Sequence, residues 1–123
     1  MPDVVRVAGG GVSGLATGAL LARRGLPVRV YDRHRGGGGR FGGGWQVLES
    51  ASGVEDAVEE LQRLGLGTPR PLIPVSRATL FDAGGQRHNV SSAQPFAYFL
   101  RRGPGAGTLD AWLRECAAAS GAE

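Results

Sequence analysis

An α/β fold, with a parallel βαβ unit at its start and an antiparallel β-hairpin later in the chain, is the class this sequence predicts, on three observations. A β-branched run from Asp3 to Ala8 leads directly into Gly9-Gly10-Gly11-Val12-Ser13-Gly14, which is G-x-G-x-x-G behind a strand. A helical apolar pattern follows, stops at Gly25, and gives way to a second β-branched run, Val28 to Tyr31, that ends at Asp32. From Pro69 onward the texture changes to short strand-like runs. Glycine is the largest departure in composition, 22 of 123 residues, about 18% against a usual ~7%. That is more than ordinary turns require, so the positions of the glycines carry much of the reading.

Each part of the opening unit has a mechanical reason. Gly9 permits the tight turn from strand to helix, Gly11 leaves room for a pyrophosphate to approach the backbone, and Gly14 lets the helix pack closely on the strands. Gly18 extends that small face one turn later. The first N–H groups of the helix, at Val12 and Ser13, lack intrahelical partners and carry the positive end of the helix dipole, so they suit phosphate. Asp32 lies 21 residues after Gly11, placed to accept hydrogen bonds from ribose hydroxyls, and Arg33 beside it is a further candidate contact. A carboxylate there repels a 2'-phosphate, which disfavours NADP as the bound dinucleotide. Strand, glycines, helix, strand and acid thus occur in the order of a Rossmann-like unit.

A second glycine cluster occupies positions 36 to 44, where seven glycines surround Arg40 and Phe41. A plain linker would lack the Arg-Phe pair. The functional reading is a loop whose bare backbone passes along an extended cofactor, with Arg40 near phosphate or an aromatic ring system.

Farther along, Ser52-Gly53-Val54-Glu55 reads as a capping box, and Val54, Ala57, Val58, Leu61 and Leu64 give an apolar helical face that Gly65 ends. Glu55, Asp56, Glu59 and Glu60 fall early in that helix, where its dipole favours acids, and read as a solvated face. Leu72 to Val75, Arg77 to Phe81 and Gln86 to Val90 read as strands, the last two joined into a hairpin by Asp82-Ala83-Gly84-Gly85. Phe96 to Leu100 is a buried-strand candidate closed by Arg101 and Arg102. Thr108 is an N-cap candidate for a helix that sets Leu109, Trp112, Leu113 and Cys116 on one face and ends near Gly121. Trp45 and Trp112 read as core or interface residues, and His88 as a surface strand residue.

Composition excludes several classes. A length of 123 residues allows one core and no second domain of ordinary size. The net charge is +3, but its 14 basic residues are all arginine and scattered, aromatics are 7%, and no nucleic-acid motif appears, so no nucleic-acid partner is expected. The single cysteine, Cys116, rules out an internal disulfide and fits a reducing cytoplasm; it reads as a structural thiol. His34 and His88 have no ligand pattern around them, so no metal site is expected. The uncharged run from Val7 to Ala22 is 16 residues with five glycines, short of the about 20 a spanning helix needs, so no transmembrane segment is expected.

With these residues in view, the chain resembles the FAD-dependent oxidoreductases of the glutathione-reductase-like superfamily, and within it the geranylgeranyl reductase family. Carrying the resemblance are Gly9, Gly11, Gly14, Asp32, Gly42-Gly43-Gly44-Trp45, Leu64-Gly65-Leu66, Tyr98 to Arg102, and Leu109-Asp110. The family has Glu where Asp32 stands, and the Gly103 to Gly107 loop sets Leu109-Asp110 farther from Arg102 than the family does. The Gly36 to Arg40 run also looks like a segment of amine oxidases and carotenoid desaturases.

The resemblance implies FAD as cofactor, Arg102 as a further contact to it, and hydride transfer in a parent enzyme that reduces isoprenoid or lipid double bonds, with NAD(P)H as electron donor. It divides the chain into a FAD-binding unit at 1–68, the first strands of a substrate domain at 69–100, and a helix returning to the FAD-binding unit at 101–123. The family's later Gly-Asp motif and most of its substrate domain do not appear, so the expectation is an N-terminal portion, cytoplasmic or peripheral to a membrane, with a small-molecule or lipid substrate. No residue stands out as a catalytic acid or base. Two other readings stay open: an NAD-binding piece of a dehydrogenase, and a non-catalytic nucleotide-binding or interaction module that uses the hairpin as a partner surface.

Overall fold

The computed structural model describes residues 3–35, 38–50 and 53–123. In chain order its elements are β1 (Val5–Ala8), α1 (Val12–Arg23), β2 (Val28–Tyr31), a 3-10 turn (Gly39–Phe41), β3 (Trp45–Glu49), α2 (Ala57–Arg63), β4 (Ile73–Val75), β5 (Arg77–Phe81), β6 (Arg87–Ser91), β7 (Ala97–Arg101) and α3 (Leu109–Ala119). The chain is therefore a mixed α/β protein, with a parallel strand pair and separate antiparallel sheets.

β1 and β2 pair in parallel from Val5 against Val28 to Ala8 against Tyr31, and α1 makes the crossover that parallel strands need. Gly25, at φ +81°, turns the chain out of α1 in a left-handed conformation that a residue with a Cβ resists. A Cβ added at Gly18 would lie 2.7 Å from Val30 Cγ2, so the helix rests directly on β2 because that position has no side chain. Glu123 extends the other edge of β2: its N–H donates to the Val28 carbonyl at 3.0 Å and its carbonyl accepts from Val30 N at 2.6 Å.

The core is one seam between α1 and α3. Leu15, Ala19, Leu66, Leu100, Leu109, Leu113 and Ala117 form it, with Leu48 and Leu61 packed at its margin. Burying a leucine contributes roughly 1.5–3 kcal/mol, so this seam is the main apolar attachment of α3 to the βαβ unit. Thr108 caps α3 as its sequence predicts, its Oγ1 accepting from Ala111 N at 3.1 Å. Cys116 is half-buried and its Sγ donates to the Leu66 carbonyl at 3.4 Å; burial, then the neighbouring Glu115 charge, push the thiol pKa up.

A three-stranded antiparallel sheet, ordered β3-β7-β4, covers one end of this seam. β3 is absent from the sequence reading. Its five residues become a strand by pairing with β7, Trp45 opposite Arg101 through Glu49 opposite Ala97. The alternation turns Leu48 inward and leaves Trp45 half exposed on the outer face, edge-on to Phe99 at 6.3 Å. Trp45 is thus not a core residue in this chain. The β5–β6 hairpin forms as expected, its turn held by Asp82 Oδ1, which accepts from Gly84 N and Gln86 N at 2.9 Å. Both strands are largely exposed, Leu80 and Phe81 included.

α2 differs from its predicted start. The expected capping box at Ser52 is displaced by Asp56, whose Oδ1 accepts from Val58 N at 2.9 Å and Glu59 N at 3.2 Å; Ser52 itself lies outside the described residues. Asp56 also accepts from Ser50 Oγ at 3.1 Å and Tyr98 Oη at 2.7 Å, so it is a tethered cap and not part of a solvated face. Burial, followed by the hydrogen bond to Asp56, pushes the Tyr98 phenol up to about 12. Val54, expected on the apolar face, is fully exposed ahead of the helix.

Candidate functional site

The first wall of the site is the turn between β1 and α1. Gly9 continues the β1 ladder by donating to the Tyr31 carbonyl at 2.7 Å, then takes φ +105°, which only glycine adopts without strain. Gly11 is the N-cap of α1 in extended conformation, and a Cβ there would meet nothing within 4 Å. The space in front of it is open. No side chain caps α1 and no acid sits in its first turn, so the N–H groups at Val12, Ser13 and Gly14 have no side-chain capping partner. A Cβ at Gly14 would overlap the Gly9 carbonyl oxygen, so the turn closes only because that residue is glycine.

Asp32 stands at the end of β2. Its Oδ2 accepts from Gly10 N at 2.8 Å and its Oδ1 from His34 N at 2.7 Å. Those two N–H groups, His34 first, hold the carboxyl below its usual range, so it is ionised at neutral pH. Each oxygen keeps a lone pair for a further donor. The first bond also explains Gly10, where a Cβ would lie 2.9 Å from Oδ2.

The opposite wall is the second glycine cluster, of which Gly36 and Gly37 lie outside the described residues. Gly38 is left-handed at φ +65°, and the 3-10 turn follows. Phe41 N donates to the Gly38 carbonyl at 3.0 Å, Gly44 N to the Phe41 carbonyl at 3.1 Å, and Arg102 N to the Gly44 carbonyl at 2.8 Å. Residues 38–44 form a loop tied to the end of β7, and they are not a free linker.

Arg102 makes a buried ion pair behind this loop. Its Nε donates to Asp110 Oδ2 at 2.9 Å, its Nη2 to Asp110 Oδ1 at 3.0 Å and its Nη1 to Gln46 Oε1 at 3.1 Å. The Asp110 side chain is 0% exposed and that of Arg102 9%. Burial raises the Asp110 pKa, but the bonds from Arg102 and Gly103 N outweigh it and hold the carboxyl below its usual range. The guanidinium also lies 4.3 Å over the Phe41 ring.

Between the two walls is a cavity of about 510 Å³, within the about 300–1,000 Å³ of small-molecule and cofactor sites. Of the residues singled out from sequence, Gly9, Gly11, Asp32, Arg33, Arg40 and Arg102 line it. Val12, Ser13 and Gly14 do not; they form the first turn of α1 next to Gly11. Sequence reasoning assigned no role here to Tyr31, Phe41 or Asp110, which also line the cavity. For Asp110 a signal existed: an acid between Leu109 and Ala111 on a buried helix face, eight residues after an arginine. Among the described residues no group of three or more His, Cys, Asp or Glu could hold a metal, and no helix is long and apolar enough to cross a membrane.

Residues 7–44 match the family described as an NAD(P)-binding Rossmann-like domain. A carotenoid phi-ring synthase of Streptomyces griseus is 51% identical over 39 residues, which is 32% of this chain and 8% of that protein. Among solved structures, the tetrameric form of 2-methyl-3-hydroxypyridine-5-carboxylic acid oxygenase superposes with TM-score 0.67 at 20% identity over 99% of this chain and 30% of that one. The Diels-Alderase PyrE3 of pyrroindomycin biosynthesis superposes with TM-score 0.58 at 18% identity, over 98% of this chain and 24% of that protein. The chain spans less than a third of each of these proteins, and at such identities the superpositions speak for the fold.

Proposed function

We propose that this chain is the dinucleotide-binding portion of a flavin-dependent oxidoreductase and that its cavity holds FAD. One observation carries the reading: the two glycine-rich segments face each other across a single cavity that also contains Asp32 and Arg40. An outward helix N-terminus beside Gly11 suits a diphosphate, and the Asp32 carboxylate suits ribose hydroxyls. Gly9, Gly11, Val12, Ser13 and Gly14 would serve the phosphates, Asp32 and Arg33 the ribose, and Arg40 and Arg102 the far side of the cofactor. When bound, FAD would supply hydride transfer at its N5 atom; the chain supplies placement and charge.

At finer grain, the resemblance to geranylgeranyl reductases supports an isoprenoid or lipid double bond as the parent enzyme's substrate and NAD(P)H as its electron donor. The same reading assigns 1–68 to the cofactor unit, 69–100 to the first strands of a substrate domain and 101–123 to a helix returning to the cofactor unit. A second reading, an NAD-binding piece of a dehydrogenase, is favoured by the description of the matched family.

A competition titration separates the two. The 123-residue chain is expected to quench FAD fluorescence saturably and to release FAD only at NAD concentrations at least tenfold higher. Tighter binding of NAD would turn the assignment to the dehydrogenase reading, and no saturable binding of either would overturn both.

A further inference from the structure

We propose that Asp110 is a positioning residue that holds the Gly38–Phe41 wall of the cavity in place through Arg102, and thereby sets the affinity for the dinucleotide; this rests on the function proposed above. Three contacts converge on it. Asp110 is fully buried and takes two guanidinium bonds from Arg102 and one from Gly103 N. Arg102, so fixed, covers the Phe41 ring with its guanidinium and ties down the loop's return by donating its own backbone N–H to the Gly44 carbonyl. Gly38 then fits against the pair so closely that a Cβ would lie 2.7 Å from Asp110 Cγ and 2.8 Å from the Gly103 carbonyl.

The physical logic is that a segment this rich in glycine has little conformational preference of its own. It keeps one shape only where other elements impose it. Here the imposing groups come from the end of β7 and the first turn of α3, more than 60 residues along the chain. A planar guanidinium held by both oxygens of one carboxylate has a fixed orientation. That makes the pair a rigid stop for a glycine-rich loop. Three of the five guanidinium N–H groups are used on Asp110 and Gln46, so the pair's main service to a ligand is to shape the wall and not to bind with its whole charge.

The test uses the full chain carrying Arg102→Met with Asp110→Leu, which removes both charges and leaves no unpaired buried ion. Asp110→Asn, nearly isosteric, is made in parallel should the double variant not fold. In the ligand-free protein, amide hydrogen exchange at Phe41 and Gly44 is expected to accelerate at least tenfold while exchange at Gly9 and Leu15, at the junction of β1 and α1, stays unchanged. The dissociation constant for FAD is expected to rise about tenfold. Unchanged exchange at Phe41 and Gly44, equal acceleration at all four amides, or faster loop exchange with unaltered FAD affinity would each overturn the proposal. If the unsubstituted chain binds no FAD, the functional reading fails by itself, and the exchange rates still decide whether Asp110 holds the loop.

Discussion

Two glycine-rich segments face each other across the cavity, and they use glycine in different ways. In the turn at Gly9 to Gly14, each glycine answers a local demand: a positive φ at Gly9, an approach to the Asp32 carboxylate at Gly10, open space at Gly11 and contact with the Gly9 carbonyl at Gly14. All of these demands arise within 24 consecutive residues. At Gly38 to Gly44, the main steric demand comes from Asp110 and Gly103, far along the chain. The first segment dictates its own shape and holds α1 against the strands. The second receives its shape from the Arg102–Asp110 pair, so the same amino acid supplies necessity on one wall and compliance on the other.

Substitutions can break this contrast. Gly14→Val should have the largest effect, because its side chain would displace the Gly9 backbone. Overpacking of this kind costs about 3 kcal/mol or more, seen as a fall in thermal midpoint together with loss of FAD binding. Gly38→Ala should cost about 2 kcal/mol, from the left-handed backbone and the crowding of Asp110. Its effect on dinucleotide affinity should exceed its effect on hydrogen exchange at Gly9 and Leu15. Gly11→Val sharpens the comparison from the other side. Its Cβ meets nothing in the protein, so the stability should change by about 1 kcal/mol or less, whereas FAD binding should fall at least tenfold because the added side chain occupies the phosphate approach.

The smallest effect expected is on acid stability. Asp32 and Asp110 both have carboxyl groups held below their usual range in the folded chain. A group depressed in this way contributes stability that is present above its unfolded pKa, about 4, and is lost as pH falls through the lower folded value. Denaturation midpoints should therefore be flat from about pH 7 to 5 and decline below about pH 4. Asp32→Asn should flatten that decline slightly, and an unchanged slope would mean that Asp32 makes no such bonds in solution.

Legibility in the sequence followed the range of the interactions. β1, α1, β2 and the β5–β6 hairpin, with the Thr108 cap, were readable because periodicity, turn residues and caps act over a few positions. β3 was not, since Trp45 to Glu49 becomes a strand only through β7, about 50 residues later. The start of α2 was misplaced for a similar reason. Ser52 to Glu55 has capping-box chemistry, but Asp56 is anchored by Ser50 and Tyr98 and takes the cap. Of the residues singled out in the sequence, Gly9, Gly11, Asp32, Arg40 and Arg102 fall on one cavity. Asp110 was passed over as a site residue because an acid on a buried helix face shows that it needs a partner, whereas only the fold shows that the partner is Arg102.

What the sequence by itself determined is the turn from β1 into α1: six residues whose glycines, strand and helix constrain one another through bonds and contacts of short range. Only the tertiary structure decided the other wall. Seven glycines between positions 36 and 44 are compatible with many paths. The described part of that segment takes one because a buried carboxylate and guanidinium, brought together by the packing of α3 on α1, occupy the space behind it. Short-range sterics can be written into a motif, whereas the orientation of a buried ion pair exists only after the core has closed around it.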